Sequence, residues 1–145
     1  MTNLTVLPDD FAALNLPEPL ERAILELGFQ NTTPVQTKVL PHSLDGLDII
    51  AQAQTATGKT AAFLISIITY DLENPVLDSR PRGTPFALII APTRELVMQI
   101  ASDAEPLIAF SNIKIVPLVG GMDYEKQKAK LTEPIDIVVA TPGRL

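Results

Sequence analysis

Cysteine is absent and histidine occurs once, as His42, so neither disulfides nor thiolate or histidine-rich metal clusters are open to this chain. Basic residues are few. Eleven Lys and Arg stand against 17 Asp and Glu, for a net charge of −6 and a sequence pI near 4.6. That balance counts against a generic basic surface for nucleic acid, so any such contact has to come from local residues and backbone amides. Long apolar runs are missing too: the longest, around 61–68, falls well short of the ~18 residues of a membrane span. The N-terminus, Met1-Thr-Asn-Leu-Thr-Val-Leu-Pro-Asp9, has neither a basic region nor a cleavage signature. Charge depletion to 19%, with 46% hydrophobic residues, argues against disorder, and 145 residues suffice for one globular domain. The composition reads as a soluble, intracellular, cytoplasmic protein with no membrane partner.

Residues 1–10 read as a loose tail. Pro17 to Gly28 reads as an amphipathic helix, with Leu20, Ile24 and Leu27 at helical spacing and Gly28 placed for a C-terminal cap. Thr33-Pro34 opens a second helix, with Thr33 as N-cap and Pro34 in the first turn, ending at Asp45-Gly46. From Asp48 the pattern becomes regular. Apolar strand candidates at 48–53, 86–91, 113–119 and 135–140 alternate with helix candidates beginning near Lys59, Arg94 and Tyr124. A segment carrying Pro75, Pro81, Gly83 and Pro85 reads as an exposed connection. Such alternation predicts an α/β domain whose parallel sheet is covered by helices on both faces. Ligands of these sheets sit beyond the carboxyl ends of the strands.

The stretch that organises the rest is Ala51-Gln-Ala-Gln-Thr-Ala-Thr-Gly-Lys-Thr60, lying between a strand candidate and a helix candidate. A phosphate-binding loop needs that context, because curled backbone N–H groups and a helix N-terminus together hold an anion. Gly58 allows the tight backbone, Lys59 is expected at the β/γ-phosphates, and the Thr60 hydroxyl at Mg2+. Ala53 stands where the usual G-x-x-x-x-G-K-[ST] pattern has glycine. By itself Gly58-Lys59-Thr60 also reads as the first turn of a surface helix.

Other polar motifs follow the same rule of place. Pro92-Thr93-Arg94 follows the second strand candidate, Gly120-Gly121 the third, and Thr141-Pro142-Gly143-Arg144 the fourth. A hydroxyl, a guanidinium and a helix N-terminus suit a phosphodiester backbone. The plainer reading is that Thr93 caps its helix and the glycines make turns. Upstream, the Gln36 amide suits the donor and acceptor edge of adenine, and Phe11 suits stacking on a base. In isolation, Gln36 reads as a solvent-facing helix residue and Phe11 as a core anchor.

Taken together these motifs resemble the DEAD-box family of ATP-dependent RNA helicases over nearly the whole chain. Phe11 and the stretch Gly28-Phe29-Gln-Asn-Thr-Thr33-Pro-Val-Gln36 are similar to the family's adenine-recognising Q motif. The resemblance carries Phe11, Phe29, Thr33 and Gln36 over to the base. It carries Gln54, Thr55, Ala56, Thr57, Gly58, Lys59 and Thr60 over to the phosphates and Mg2+ of ATP or ADP as motif I. Alanine is common at position 53 in that family. Pro92, Thr93 and Arg94 are similar to motif Ia, Gly120 and Gly121 to the GG motif, and Thr141, Pro142, Gly143 and Arg144 to motif Ib. The family uses these three on the RNA backbone.

The implied organisation is a tail over 1–10, a Q-motif helical region over 11–46, and the first part of a RecA-like ATP-binding domain over 47–145. Gln52-Ala-Gln-Thr55, Ala104-Glu-Pro-Leu107 and Tyr124-Glu-Lys-Gln127 resemble a bacterial subfamily of the RNA degradosome. That implies the endoribonuclease RNase E as a partner, engaged through a second domain, and a role in RNA degradation.

Two positions depart from the family pattern. Thr32 stands where proline is usual, and Ala56 stands where glycine is usual, so a β-carbon in the loop is expected to slow nucleotide use. The Asp-Glu-Ala-Asp motif, the Ser-Ala-Thr motif and a second RecA-like domain with its arginine finger are expected beyond Leu145. Without their electrostatic partners the 145-residue chain is expected to bind nucleotide weakly and hydrolyse essentially none. A P-loop kinase leaves Phe11, Gln36 and the loops after the strands unexplained. A non-catalytic, nucleotide-responsive RNA-binding or scaffold module accommodates them.

Overall fold

A computed structural model describes residues 7–29, 31–52, 58–74, 85–120, 124–130 and 135–144. The chain divides into two compact units, Met1–Asn74 with Pro106–Ser111, and Pro75–Glu105 with Asn112–Leu145.

The first unit is helical. Asp9–Ala12 forms α1, a single turn that begins at the end of what the sequence reads as tail, started by Pro8, whose carbonyl accepts from the Phe11 and Ala12 N–H groups. Helix α2, Glu18–Leu27, buries Leu20, Ala23 and Ile24, and Gly28 closes it in the left-handed region at φ 69°. Leu27, expected on the same face, is exposed. Helix α3, Pro34–Ser43, begins with a full capping box. The Thr33 side chain accepts from the Gln36 N–H, and Gln36 Oε1 accepts from the Thr33 N–H at 3.0 Å. Helix α4, Lys59–Glu73, buries Ala62, Leu64, Ile65 and Ile68. It lies against α3, where the Ser43 and Ser66 hydroxyls hydrogen-bond at 2.6 Å. The Arg22 guanidinium sits 4.3 Å over the Phe110 ring.

The second unit holds a three-stranded parallel sheet of β1 (Ala87–Ile90), β2 (Ile115–Leu118) and β3 (Ile137–Ala140), in the order β1-β3-β2. Ile137 pairs with Ala87 on one side and Ile115 on the other. Strand β3 is buried at every residue, as a central strand covered on both faces should be. On β1, Ile89 is buried while Leu88 and Ile90 are exposed. Asp136 ties the strands together at their start: its carbonyl accepts from the Phe86 and Ala87 N–H groups, and its carboxylate accepts from the Lys114 N–H at 2.9 Å. Leu118, Ile135, Val138 and Ala140 form an apolar cluster beside Val116. Helices α5 (Arg94–Leu107) and α6 (Tyr124–Lys130) and a 3-10 turn, Pro142–Arg144, complete the elements.

One expected strand does not form. Residues 48–52 carry no secondary structure and are exposed, Ile50 completely so. An apolar strand is stable only when neighbours satisfy its backbone and cover its side chains, and none of the described strands pairs with this segment.

Candidate functional site

The nucleotide candidates of the first unit meet at one glycine. Gly58 precedes α4 at φ 87°, and among the described residues no side chain caps the helix that follows. The leading N–H groups of an α-helix have no partners within it, so a helix start without a side-chain cap suits an anion. Lys59 and Thr60, both half-buried, are its first two residues. A Cβ on Gly58 would collide with Thr33 Oγ1, so glycine is required here by both backbone angle and space.

Gln36 reaches the same point from α3. Its Nε2 donates to the Gly58 carbonyl at 3.3 Å while its Oε1 holds the Thr33 N–H. The expectation of a solvent-facing Gln36 is corrected: the residue is only 4% exposed. Helical surface preference gives way because both ends of the amide are satisfied inside the protein. One N–H and one acceptor lone pair of that amide are left for a further partner. These donors fit a nucleotide: an uncapped helix start for phosphate, a lysine and a hydroxyl beside it, and an amide for the base.

Phe11 is 1% exposed and packs against Phe29 with ring centroids 5.9 Å apart. Of its two readings, the core anchor describes this conformation. Thr32, read from the sequence only as a departure, donates to Asp10 Oδ2 at 3.2 Å and shares a 2.7 Å hydrogen bond with Thr37 Oγ1. A cavity of about 510 Å³ opens beside these groups, lined by Asp10, Asn15, Thr32, Gln36, Thr37 and Asp45 among others. Nothing in the hydrophobic pattern marks Asp10, whose bond to Thr32 spans 22 residues, or Thr37, whose polar contacts are local. Gln54, Thr55, Ala56 and Thr57 lie outside the described residues.

The second unit gathers its polar loops differently. Because β1, β2 and β3 are parallel, Pro92-Thr93-Arg94, Gly120 and Thr141-Pro142-Gly143 all follow carboxyl ends on one sheet edge. Ala91 N–H donates to the Ala140 carbonyl and Thr141 N–H to the Leu118 carbonyl, which knits that edge. Thr93 Oγ1 accepts from the Leu96 N–H at 3.2 Å, so it does cap α5, and its own O–H remains a donor. Pro92, Thr93, Arg94 and Gly120 are exposed. Arg144 ends the 3-10 turn, and Gly121 lies outside the described residues. Sequence reading missed Gln127, which is buried and donates from Nε2 to the Val119 carbonyl at 2.9 Å, just before Gly120. Its neighbours Glu125, Lys126 and Lys128 give no sign of an inward face.

Among the described residues no group of three or more His, Cys, Asp or Glu is placed to hold a metal ion. No described helix is long and apolar enough to cross a membrane.

Comparisons with known proteins agree with this layout. The family model described as DEAD/DEAH box helicase matches residues 33–145. The chain is 54% identical over 136 residues to "ATP-dependent RNA helicase RhlB" of Pseudomonas aeruginosa (strain UCBPP-PA14), covering 93% of this chain and 34% of that protein. It is 45% identical over 135 residues to the protein of that name in Vibrio parahaemolyticus (serotype O3:K6, strain RIMD 2210633), covering 93% of this chain and 31% of the relative. The chain thus spans about a third of the length of the curated relatives it matches. Among solved structures, the RNA-helicase Prp28 from Chaetomium thermophilum bound to ADP superposes with a TM-score of 0.83 at 37% identity, covering 94% of this chain and 33% of that one. The expected RecA-like α/β fold is therefore present, in a chain that is part of such a domain. Motif, fold and similarity converge: the chain belongs to the DEAD/DEAH box helicase family.

Proposed function

We propose that this chain is the ATP-binding portion of the first RecA-like domain of an ATP-dependent RNA helicase of RhlB type, acting on short duplexes in the cytoplasm. The observation that carries the reading is the junction at Gly58. It joins an uncapped helix N-terminus to the buried Gln36 amide, so that phosphate and base recognition share one residue.

In this reading Lys59 bears on the β/γ-phosphates, Thr60 on Mg2+, and Gln36 on the adenine edge with its remaining N–H and lone pair. The Phe11–Phe29 ring pair fastens α1 to the Q-motif stretch. When bound, ATP supplies the phosphoanhydride whose cleavage powers the cycle. On the sheet edge, the Thr93 hydroxyl, the Arg94 guanidinium and the Gly120-Gly121 and Thr141–Arg144 loops hold RNA phosphates and sugars. The acidic net charge is compatible, because a few positioned phosphate contacts suffice when both domains close on the strand. RNase E and the degradosome enter as partners through the subfamily resemblance of the sequence, engaged by a second domain.

Thermal unfolding with ADP tests the site directly. ADP is expected to raise the melting temperature, GDP to leave it unchanged, and both Lys59→Ala and Gln36→Ala to abolish the ADP effect. A GDP shift equal to that of ADP would reject adenine recognition. In the full-length protein, ATP hydrolysis is expected to rise on adding RNA and to be faster in Ala56→Gly. The 145-residue chain alone is expected to hydrolyse essentially none. An unstimulated full-length enzyme would favour a binding module instead.

A further inference from the structure

Thr32 lies at the centre of a hydrogen-bonded chain that the family resemblance does not provide for, since proline is usual there. Its hydroxyl donates to Asp10 Oδ2 at 3.2 Å, and its oxygen lies 2.7 Å from Thr37 Oγ1, which also reaches the Thr33 carbonyl at 3.1 Å. The two hydroxyls have two protons between them. The Thr32 proton is committed to the carboxylate, so the Thr37 proton is shared between Thr32 Oγ1 and the Thr33 carbonyl. The chain therefore runs Thr37 to Thr32 to Asp10. Accepting from Thr37 polarises the Thr32 hydroxyl and strengthens its bond to a charged acceptor.

The ends of this chain matter. Asp10 belongs to α1, immediately before Phe11, while Thr33 and Gln36 form the capping box that starts α3. With the Phe11–Phe29 ring pair, the chain fastens α1 to the Q-motif stretch at two places. Asp10, Thr32, Thr37 and Gln36 also line the cavity of about 510 Å³, a size within the ~300–1,000 Å³ usual for small-molecule sites.

We propose that Thr32, acting through Asp10 and Thr37, is a positioning residue for the adenine base, holding α1 as one wall of the base pocket against Gln36. This inference rests on the nucleotide reading above. A proline at this position has no hydroxyl and could make neither bond, so Thr32 gives this chain a clasp in place of the usual rigid ring.

The test is titration of the full-length protein with ADP and GDP, comparing wild type with Thr32→Val, Thr32→Ser and Asp10→Asn. Thr32→Val keeps the shape and removes the hydroxyl. It is expected to weaken ADP binding about three- to tenfold, the scale of one solvent-exposed hydrogen bond. Thr32→Ser is expected to restore binding. Combining Thr32→Val with Asp10→Asn should add little to either single change. The nucleotide KM should rise with kcat at saturation unchanged, a split that general loss of folded protein would not give. Wild type that fails to prefer ADP over GDP would overturn the nucleotide reading and this inference with it. Wild type that prefers ADP, with Thr32→Val binding equally well or Thr32→Ser binding as poorly as Val, would overturn the clasp alone.

Discussion

At the scale of single residues, two glycines separate backbone strain from collision. Gly28 and Gly58 both sit at positive φ, yet a Cβ on Gly28 would meet open space whereas one on Gly58 would strike Thr33. Gly28→Ala is therefore expected to cost about 1–2 kcal/mol, the price of the left-handed region for an L side chain. Gly58→Ala should cost about 2–4 kcal/mol, because overpacking adds to the same backbone term. Denaturant unfolding of the two variants measures the difference, and equal losses would mean that Thr33 simply moves aside. Gly28 and the Thr33 N-cap were legible in the sequence because caps depend on residues a few positions apart. The burial of Gln36 and the Thr32–Asp10 bond were not, since each needs a partner 22 residues away.

Helices were easier to read than strands, and α4 shows why. Its apolar positions recur over the whole span Lys59–Glu73, whereas each strand has four residues in which a slip of one end leaves little signal. The segment 48–52 reads as a strand by composition alone, and composition says nothing about whether a neighbour is there to pair. Along α4, Thr69 is buried with no hydrogen-bond partner for its hydroxyl among the described residues. Valine has nearly the same shape without the orphan oxygen. Thr69→Val is expected to stabilise the protein by about 1 kcal/mol, read as a higher melting temperature. A fall of that size would show that the hydroxyl has a partner in solution.

At the scale of the whole molecule, apolar surface is left uncovered. Leu47 and Ile50 are exposed in the irregular stretch after α3, as are Leu88 and Ile90 on β1. Exposed strand-like apolar residues are association sites. Ile50→Ser is expected to change stability by less than ~0.5 kcal/mol while lowering self-association of the 145-residue chain in light scattering. Unchanged scattering would place the sticky surface elsewhere. The sheet's parallel character was legible from apolar strands alternating with helices, but its order was not, because β1-β3-β2 is set by crossovers rather than by any strand's own residues. That order has a consequence for biosynthesis. Among the described strands, β1 and β2 do not pair with each other; each pairs with β3, the last of the three to be made. As the chain leaves the ribosome, residues 87–90 and 115–118 have none of the other described strands to bind until 137–140 emerge, so this three-stranded sheet cannot grow pair by pair. It closes in one late step across long loops, and until then the nascent chain holds two unpaired apolar segments that a chaperone would recognise.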